Sequence, residues 1–554
     1  MGNSDWVKLR DSYLDWLADW PNRVGVKKKL LWHGYSLWWS TNLISKDTYI
    51  ANDWLIRLCN RVNGADIRKS KRSLQRRGLR HILYLFVLDI VRFIVVKLFV
   101  PKKNVCKKDV YFFSLQINLT EVNGKIRDRH YSDLHMRDSR NNMTSAYLIS
   151  LSKAISEIKN PFYFKRNIKK ILSATERDVI IIDSYIKFSD VMLIHFGVLK
   201  LWFRYALQKK SEEFKRSVVI SGVQCDDILL DELEQSFFGA IQTSLIRAIS
   251  VKRWLEYIQS DVKIVTYLET VSAIRPVYHF AKEVSKGNTF IALQHSTLNK
   301  NKIDFFHRKQ EFNKSIADGV IYSPKPDYYL VQGAQAKAMI EEFFASDNIF
   351  VIGCVKFDRY RNILDDALSL GNRASETINK QDDFVVLIAP SFGVDALNIL
   401  SMFKDIDLSK DEYKSLKFII APHPLVRQDE IKNIIDNLKL SNVFEFYSEL
   451  NTQELILASD LVVCGYSSIA LESLIFLTPS IRVVDNRTIP LFENEPGIPY
   501  VHTKDQFWSS LMGFVNKDYL EKNKIERNKL ISSYFYKIDG AASDRFWQVV
   551  RDIN

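Results

Sequence analysis

Six side chains in the C-terminal half have the types and settings from which a phosphate-handling site can be built. In KFIIAPHPLVR an apolar run ends on His423-Pro424, with Arg427 four positions after the histidine. Proline closes a strand and leaves the imidazole at its mouth. There it can donate to a phosphate oxygen, and Arg427 can add a charged donor. The competing reading is a loop histidine with a structural role. In DLVVCGYSSIALESLIFL a strand runs through a glycine turn into Ser467-Ser468, which open a helix. Free backbone N–H groups and the positive end of the helix dipole attract an anion, and serine hydroxyls extend that site. Serine also caps helices, and both roles are compatible if one serine caps while the other faces a ligand. Glu472, four residues past Ser468, shares its helix face and suits a ribose hydroxyl.

Two further groups could move a proton. KIVTYLETVSAIRP is expected to end its strand on Glu269, and TFIALQHSTLN on His295. A carboxylate or neutral imidazole within hydrogen-bond reach can deprotonate an attacking hydroxyl. Glu269 and His295 are the candidates, with Asp304 behind them. A charge at a helix N-terminus is the plain alternative for Glu269, and a packed loop histidine for His295.

Such residues need strands to place them. From Asp109 onward, short apolar runs alternate with helical stretches. The first series is DVYFFSL (109–115), DVIIIDSY (178–185), SVVISG (217–222), KIVTYLE (263–269), TFIALQHS (289–296) and DYYLVQG (327–333). The second is IFVIG (349–353), FVVLIAP (384–390), KFIIAPHP (417–424), VFEFY (443–447), DLVVCGYSS (460–468) and SIRVVD (480–485). Continuous apolar runs of this length read as buried parallel strands, and two series predict two doubly wound α/β domains. The expected units are a helical N-terminal extension over 1–108, one Rossmann-like domain over 109–335 and a second over 336–554. Ligands of open α/β sheets bind beyond the strand C-termini, where the candidate residues fall.

With 554 residues, 47% hydrophobic and 26% charged, the chain has material for two full cores, which excludes a disordered tail, a fibre or a disulfide-stapled miniprotein. The net charge of +13 is concentrated. Arg61 to Lys108 carries 14 Lys/Arg against two Asp, leaving the other 506 residues near +1. A nucleic-acid groove is therefore disfavoured, and a local anionic partner is favoured. Within this segment, seven of the fifteen residues Asp66 to Arg80 are basic and feed the apolar stretch His81 to Val100. Asp89, Arg92 and Lys97 interrupt that stretch, and charges at a bilayer centre cost roughly 2.5–3.5 kcal/mol each on insertion scales, so it should not span. A basic run before an apolar helix instead suits the surface of an anionic membrane. Five scattered cysteines without a C-x-x-C pair indicate neither a disulfide framework nor a zinc ribbon, and the start carries no secretory signal. No acidic cluster has the spacing of a calcium loop, and Walker and G-x-G-x-x-G motifs are lacking, so no metal or cofactor is expected.

A strand ending in His423-Pro424, followed some forty residues on by strand, Ser467-Ser468, helix and Glu472, resembles the donor half of GT-B glycosyltransferases that use CMP-sugars, the sialyl-, polysialyl- and Kdo transferases of bacterial surface carbohydrate. CDP-glycerol polyol-phosphate transferases of teichoic acid synthesis resemble it too. The Q-H-S-T run at His295, the PDYYLVQG run and the tryptophan-rich LWHGYSLWWSTNL start are similar to proteins of bacterial surface-carbohydrate biosynthesis. The resemblance implies a metal-independent GT-B enzyme with two Rossmann-like domains facing a cleft. His423, Pro424, Ser467 and Ser468 would hold the nucleotide phosphate.

The reading drawn from it is transfer of a 3-deoxy-ulosonic sugar, Kdo or a nonulosonic acid, from a CMP-sugar to a glycan or glycolipid acceptor. Residues 61–108 would hold the enzyme on the cytoplasmic face of the membrane. Three alternatives stand beside it: a CDP-glycerol or CDP-ribitol polyol-phosphate transferase, a nucleotide-sugar epimerase, and a non-catalytic membrane-associated assembly subunit.

Overall fold

The structure is a computed structural model that describes the chain apart from residues 1–2, 47–52, 63, 65–77, 103–106, 123–124, 132–133, 152–160, 175–177, 268–271, 299–302, 313–320, 359–366, 391–392, 408–409, 423–425, 466, 485–497, 516–523 and 554. Its centre is two parallel sheets. The first contains β1 (Val110–Leu115), β2 (Ser145–Ser150), β3 (Asp178–Ile181), β4 (Lys263–Thr266), β5 (Thr289–Leu293), β6 (Tyr328–Val331) and β7 (Ile349–Val351), in the order β7-β6-β5-β4-β1-β2-β3. The second contains β8 (Phe384–Ala389), β9 (Leu416–Ile420), β10 (Phe444–Phe446), β11 (Leu461–Cys464), β12 (Ser480–Val483) and β13 (Tyr500–Val501), in the order β10-β9-β8-β11-β12-β13. Every pairing in both sheets is parallel. Both orders reverse direction once, between β1 and β4 and between β8 and β11. These are the switch points where doubly wound sheets open a crevice.

The strands are apolar throughout because both faces of each sheet are covered. The helices that matter below are α1 (Asn3–Arg23), α2 (Leu79–Phe99), α3 (Phe188–Lys209), α4 (Asp226–Ser236), α5 (Ala240–Ile258), α6 (Arg275–Val284), α7 (Ile469–Ile475), α8 (Lys524–Phe535) and α9 (Ala542–Asp552). One face of the first sheet packs on α3, α4, α5 and α6, and the other holds Phe112, Tyr147 and Val265 with Phe546, Trp547 and Val550 of α9. Two separate clusters cover the faces of the second sheet. Two Rossmann-like domains facing a cleft make this an α/β fold of GT-B type.

Several boundaries differ from the sequence expectation. The start of the chain is part of the first domain rather than an extension: Tyr13, Leu17, Trp20, Trp38, Trp39 and Trp54 are buried in its core, and Trp20 Nε1 donates to Ser217 Oγ at 2.9 Å. Ile349–Val351 is the edge strand of the first sheet, because Tyr329 to Val331 offers it an open parallel edge. The last helix also returns to the first domain. Asp358 accepts from the backbone N–H of Ala542 and Ser543 at 2.9 and 2.6 Å, and Trp547 Nε1 donates to Leu134 O at 2.9 Å. Gly333 permits α8 to close in, since a Cβ there would stand 2.2 Å from the carbonyl oxygen of Ser533. SVVISG is no sheet strand: Ser221 and Gly222 both take positive φ, 51° and 78°, and fold it into a two-stranded hairpin.

Helix α2 confirms the cost of its charges by satisfying each one. Asp89 meets His195 Nε2 at 3.0 Å, Arg92 pairs with Asp183, and Lys97 Nζ donates to Ser184 O at 2.6 Å. Among the described residues no helix is long and apolar enough to cross a membrane. The basic run itself, 65–77, lies outside the described residues.

Candidate functional site

At the switch point of the first sheet, an antiparallel hairpin, Leu119–Val122 with Lys125–Asp128, leaves β1 and delivers His130 to the strand ends. Asp128 sets its direction by accepting the N–H of His130 at 2.7 Å and of Tyr131 at 3.0 Å, while Ser114 of β1 donates to its other oxygen. Burial raises the Asp128 carboxyl to about 6, against the lowering effect of these donors. Tyr131 locks the crevice, its hydroxyl meeting the carbonyls of Phe113 in β1 and Val265 in β4 at 2.7 and 3.1 Å.

His295 arrives from β5. Gln294 directs it: Oε1 accepts the Gln332 N–H at 2.8 Å and Nε2 donates to Ser296 O at 2.9 Å, tying the ends of β5 and β6 together. The His295 and His130 rings stand 5.0 Å apart at 82°, with Tyr267 packed 5.7 and 4.8 Å from them. Arg129 Nε donates to His130 Nε2 at 3.3 Å. Desolvation, then the neighbouring His295, Arg129 and Lys356, lower the pKa of His130 to about 2, which keeps it neutral. Phe305 covers His295 from a loop anchored beneath by Lys46, whose Nζ donates to Phe306 O and lies 3.2 Å from His307 Nδ1. Glu269 lies outside the described residues. The chain passes Tyr267 just before it, whose hydroxyl meets the Leu115 N–H at 3.0 Å.

The second sheet supplies the facing wall. Ser467 Oγ accepts the Ile469 N–H at 3.3 Å just ahead of α7, while Ser468, the residue at the N-cap, turns its Oγ to Glu472 Oε1 at 3.3 Å. The same Glu472 oxygen accepts from Lys356 Nζ at 2.9 Å. Lys356 follows β7 of the first domain, so this pair ties the two walls together, and its charge also acts on His130. Glu472, expected to meet a ribose, is thus engaged across the cleft. Arg427 is not brought to the serines by any contact. It is exposed and pairs with Glu430 of its own helix at 3.1 Å. His423 and Pro424 lie outside the described residues, three and four positions past the end of β9.

Sequence reasoning missed His130, Lys356 and two buried groups behind Ser467. Asp395 sits so close to Gly465 that a Cβ there would fall 1.6 Å from its oxygen, which is why the turn after β11 carries glycine. Arg482 of β12, fully buried, donates to Gly465 O at 3.4 Å and to the Tyr500 hydroxyl at 2.9 Å. Asp395 stands seventy residues before Gly465, so nothing in the sequence sets the two against each other. Nothing in SIRVVD marks Arg482 as more than a strand-end cation.

Residues 241–551, which take in β4 to β7 of the first sheet and all of the second, match the model of the CDP-glycerol:poly(glycerophosphate) glycerophosphotransferase family. The chain belongs to this family. No curated protein matches the sequence. Among solved structures, the wall teichoic acid polymerase TagF is similar at 14% identity, with 86% of this chain and 98% of that one covered and a TM-score of 0.42. The UDP-GlcNAc 2-epimerase from Neisseria meningitidis bound to UDP-GlcNAc is similar at 12% identity, covering 80% and 99%, with a TM-score of 0.45. A glycosyltransferase from Rickettsia africae ESF-5 is similar at 11%, covering 81% and 100%, with a TM-score of 0.44.

The protein is accordingly a transferase of GT-B type that takes a nucleotide-linked donor and a polymer acceptor. The glycerophosphotransferase match corrects the expectation of a CMP-linked ulosonic sugar, and with it Kdo, nonulosonic acid and lipopolysaccharide. Both donor classes carry a nucleotide phosphate, so motifs chosen for a phosphate do not distinguish the group transferred.

Proposed function

We propose that the enzyme transfers glycerol phosphate from CDP-glycerol to the terminal hydroxyl of a poly(glycerol phosphate) chain. The family match, spanning both walls of the cleft, carries this reading. The acceptor hydroxyl oxygen attacks the phosphorus that bears glycerol, the bond from that phosphorus to the CMP oxygen breaks, and CMP leaves. His295 takes the hydroxyl proton, with Glu269 as the other candidate. The first domain holds the acceptor and the second the donor. Ser467, Ser468, the N–H groups opening α7, and His423 with Pro424 meet the charge that develops on the leaving phosphate. Side chains and backbone amides carry every role in this scheme, with no metal assigned.

The acceptor reaches the cleft from a membrane. Helix α2 exposes Leu83, Val87, Val91, Ile94 and Leu98 along one stripe, and α3 exposes Leu193, Phe196, Phe203 and Leu207 beside it. Leu98 and Leu207 are 69% and 70% exposed. The exposed charges described on these helices, Arg80, Lys97, Lys200 and Arg204, are all basic, since Asp89 and Asp190 are buried. An apolar stripe edged only by cations suits the cytoplasmic face of an anionic bilayer.

Thermal unfolding in parallel with CDP-glycerol, CMP-linked sugar and UDP tests the donor. A ligand at a hundredfold its Kd stabilises by about 2.7 kcal/mol. Stabilisation by CDP-glycerol is expected, and stabilisation by UDP alone would overturn the reading.

A further inference from the structure

Beside the histidine pair, the C-terminal ends of β1 and β2 frame a cavity of about 220 Å³ that no step above uses. Leu115, Ser150 and Thr243 line it together with two arginines, Arg92 and Arg247. Arg92 is spent. It donates to Leu151 O at 2.6 Å and to Asp183, whose second oxygen accepts the Leu151 N–H at 2.9 Å. Arg247 is different. Its Nε reaches Ser150 Oγ only at 3.5 Å, and among the described residues no carboxylate lies within ion-pair distance of its guanidinium. Two guanidiniums thus share one carboxylate, and the cavity carries a net positive charge beneath partial cover.

We propose that this cavity is the seat of an acceptor phosphodiester, gripped by the fork of Arg247 with Ser150 and Thr243 as hydroxyl donors. The inference rests on the polyol-phosphate reading and names the part of the acceptor that the enzyme grips. A planar guanidinium can offer a phosphate two parallel N–H groups, and burial strengthens them. The placement fits a chain of repeating phosphates. Leu115, which lines the cavity, gives its N–H to the Tyr267 hydroxyl at 3.0 Å, and Tyr267 packs on His295, so a phosphate held there lies next to the proton acceptor's own neighbours. On the other side the cavity is backed by α2, whose outer face is the apolar stripe.

The test separates this site from the donor reading. Binding of glycerophosphoglycerol to the full chain is measured without CDP-glycerol, and turnover is followed with a soluble glycerol phosphate trimer as acceptor. Arg247→Gln is expected to weaken the binding by about tenfold or more, the usual scale of a lost charge-assisted contact, and to raise the trimer KM by a similar factor. The CDP-glycerol KM should stay within about twofold. Arg247→Lys, which keeps the charge but not the fork, should fall between. In the unmodified enzyme glycerophosphoglycerol should compete with the trimer and not with CDP-glycerol, a result that needs no variant to fold. Equal binding and trimer KM in Arg247→Gln, or competition with CDP-glycerol alone, would overturn the proposal. Binding that depends on Arg247 in an enzyme that does not turn over CDP-glycerol would uphold the cavity and overturn the donor reading.

Discussion

The rings of His130 and His295 meet edge to face, 5.0 Å apart, although the two residues reach the cleft from strands on opposite sides of the first sheet's switch point. Burial and neighbouring cations push the His130 pKa down, so its ring takes up a proton far less readily than an ordinary histidine. His295→Ala is expected to lower kcat by about 10²–10⁴, the scale of a lost general base, with CDP-glycerol binding intact. His130→Gln should leave the acid limb of the pH–rate profile in place, because burial and neighbouring cations already hold that ring neutral at any working pH. Loss of the limb in His130→Gln, measured by initial rates from pH 5 to 8, would reverse the assignment.

Asp128 gives a stability signature of known sign. Its carboxyl is raised from 3.8 to about 6, so between these values the folded chain binds more protons than the unfolded one. Stability from this group is therefore greatest at low pH and is lost as pH rises from about 4 to 6, by about 3 kcal/mol at roughly 1.4 kcal/mol per pKa unit. Asparagine can keep the same acceptor oxygen for His130 and Tyr131. The difference in unfolding free energy between Asp128→Asn and the natural chain should grow in favour of the variant across that window, as read by urea titrations.

Lys356 and Glu472 join the two walls at 2.9 Å, yet Lys356 keeps a third of its side chain exposed. Such a pair is worth no more than about 1 kcal/mol to stability. Lys356→Ala should therefore shift the urea midpoint little while lowering kcat/KM by about tenfold. A large midpoint shift with unchanged kcat/KM would make the pair purely structural.

The apolar stripe predicts a lipid dependence. The double substitution Leu98→Glu with Leu207→Glu removes two exposed apolar side chains, each worth about 1.5–3 kcal/mol when buried, and adds charge that an anionic surface repels. Co-sedimentation with phosphatidylglycerol vesicles should drop by tenfold or more without a change in melting temperature. Unaltered partitioning would place the membrane contact elsewhere.

The sheets were legible because buried parallel strands leave uninterrupted apolar runs, and ten of the twelve runs read as strands lie in the sheet expected for them. SAYLIS was missed, being bounded by serines in a polar stretch, yet Ser145–Ser150 is an interior strand buried at every position. The reassignment of Ile349–Val351 and of α9 could not be read from hydropathy, since an apolar strand or helix does not announce which core it joins. The placement of His295, Ser467 and Ser468 just past strand ends was legible because each stands two to four residues after an apolar run closes. His130 was not, because it sits in a charged stretch that only the inserted hairpin folds back over the strand ends. Lys356 and Arg482 are ordinary cations until tertiary structure sets them against Glu472 and Gly465.

The most direct measurement follows the products of CDP-glycerol turnover with a glycerol phosphate trimer. The account requires CMP and a trimer longer by one glycerol phosphate, in equal amounts, with both lost in His295→Ala. Release of CMP without extension of the trimer, or extension from a CMP-linked sugar in place of CDP-glycerol, would contradict it.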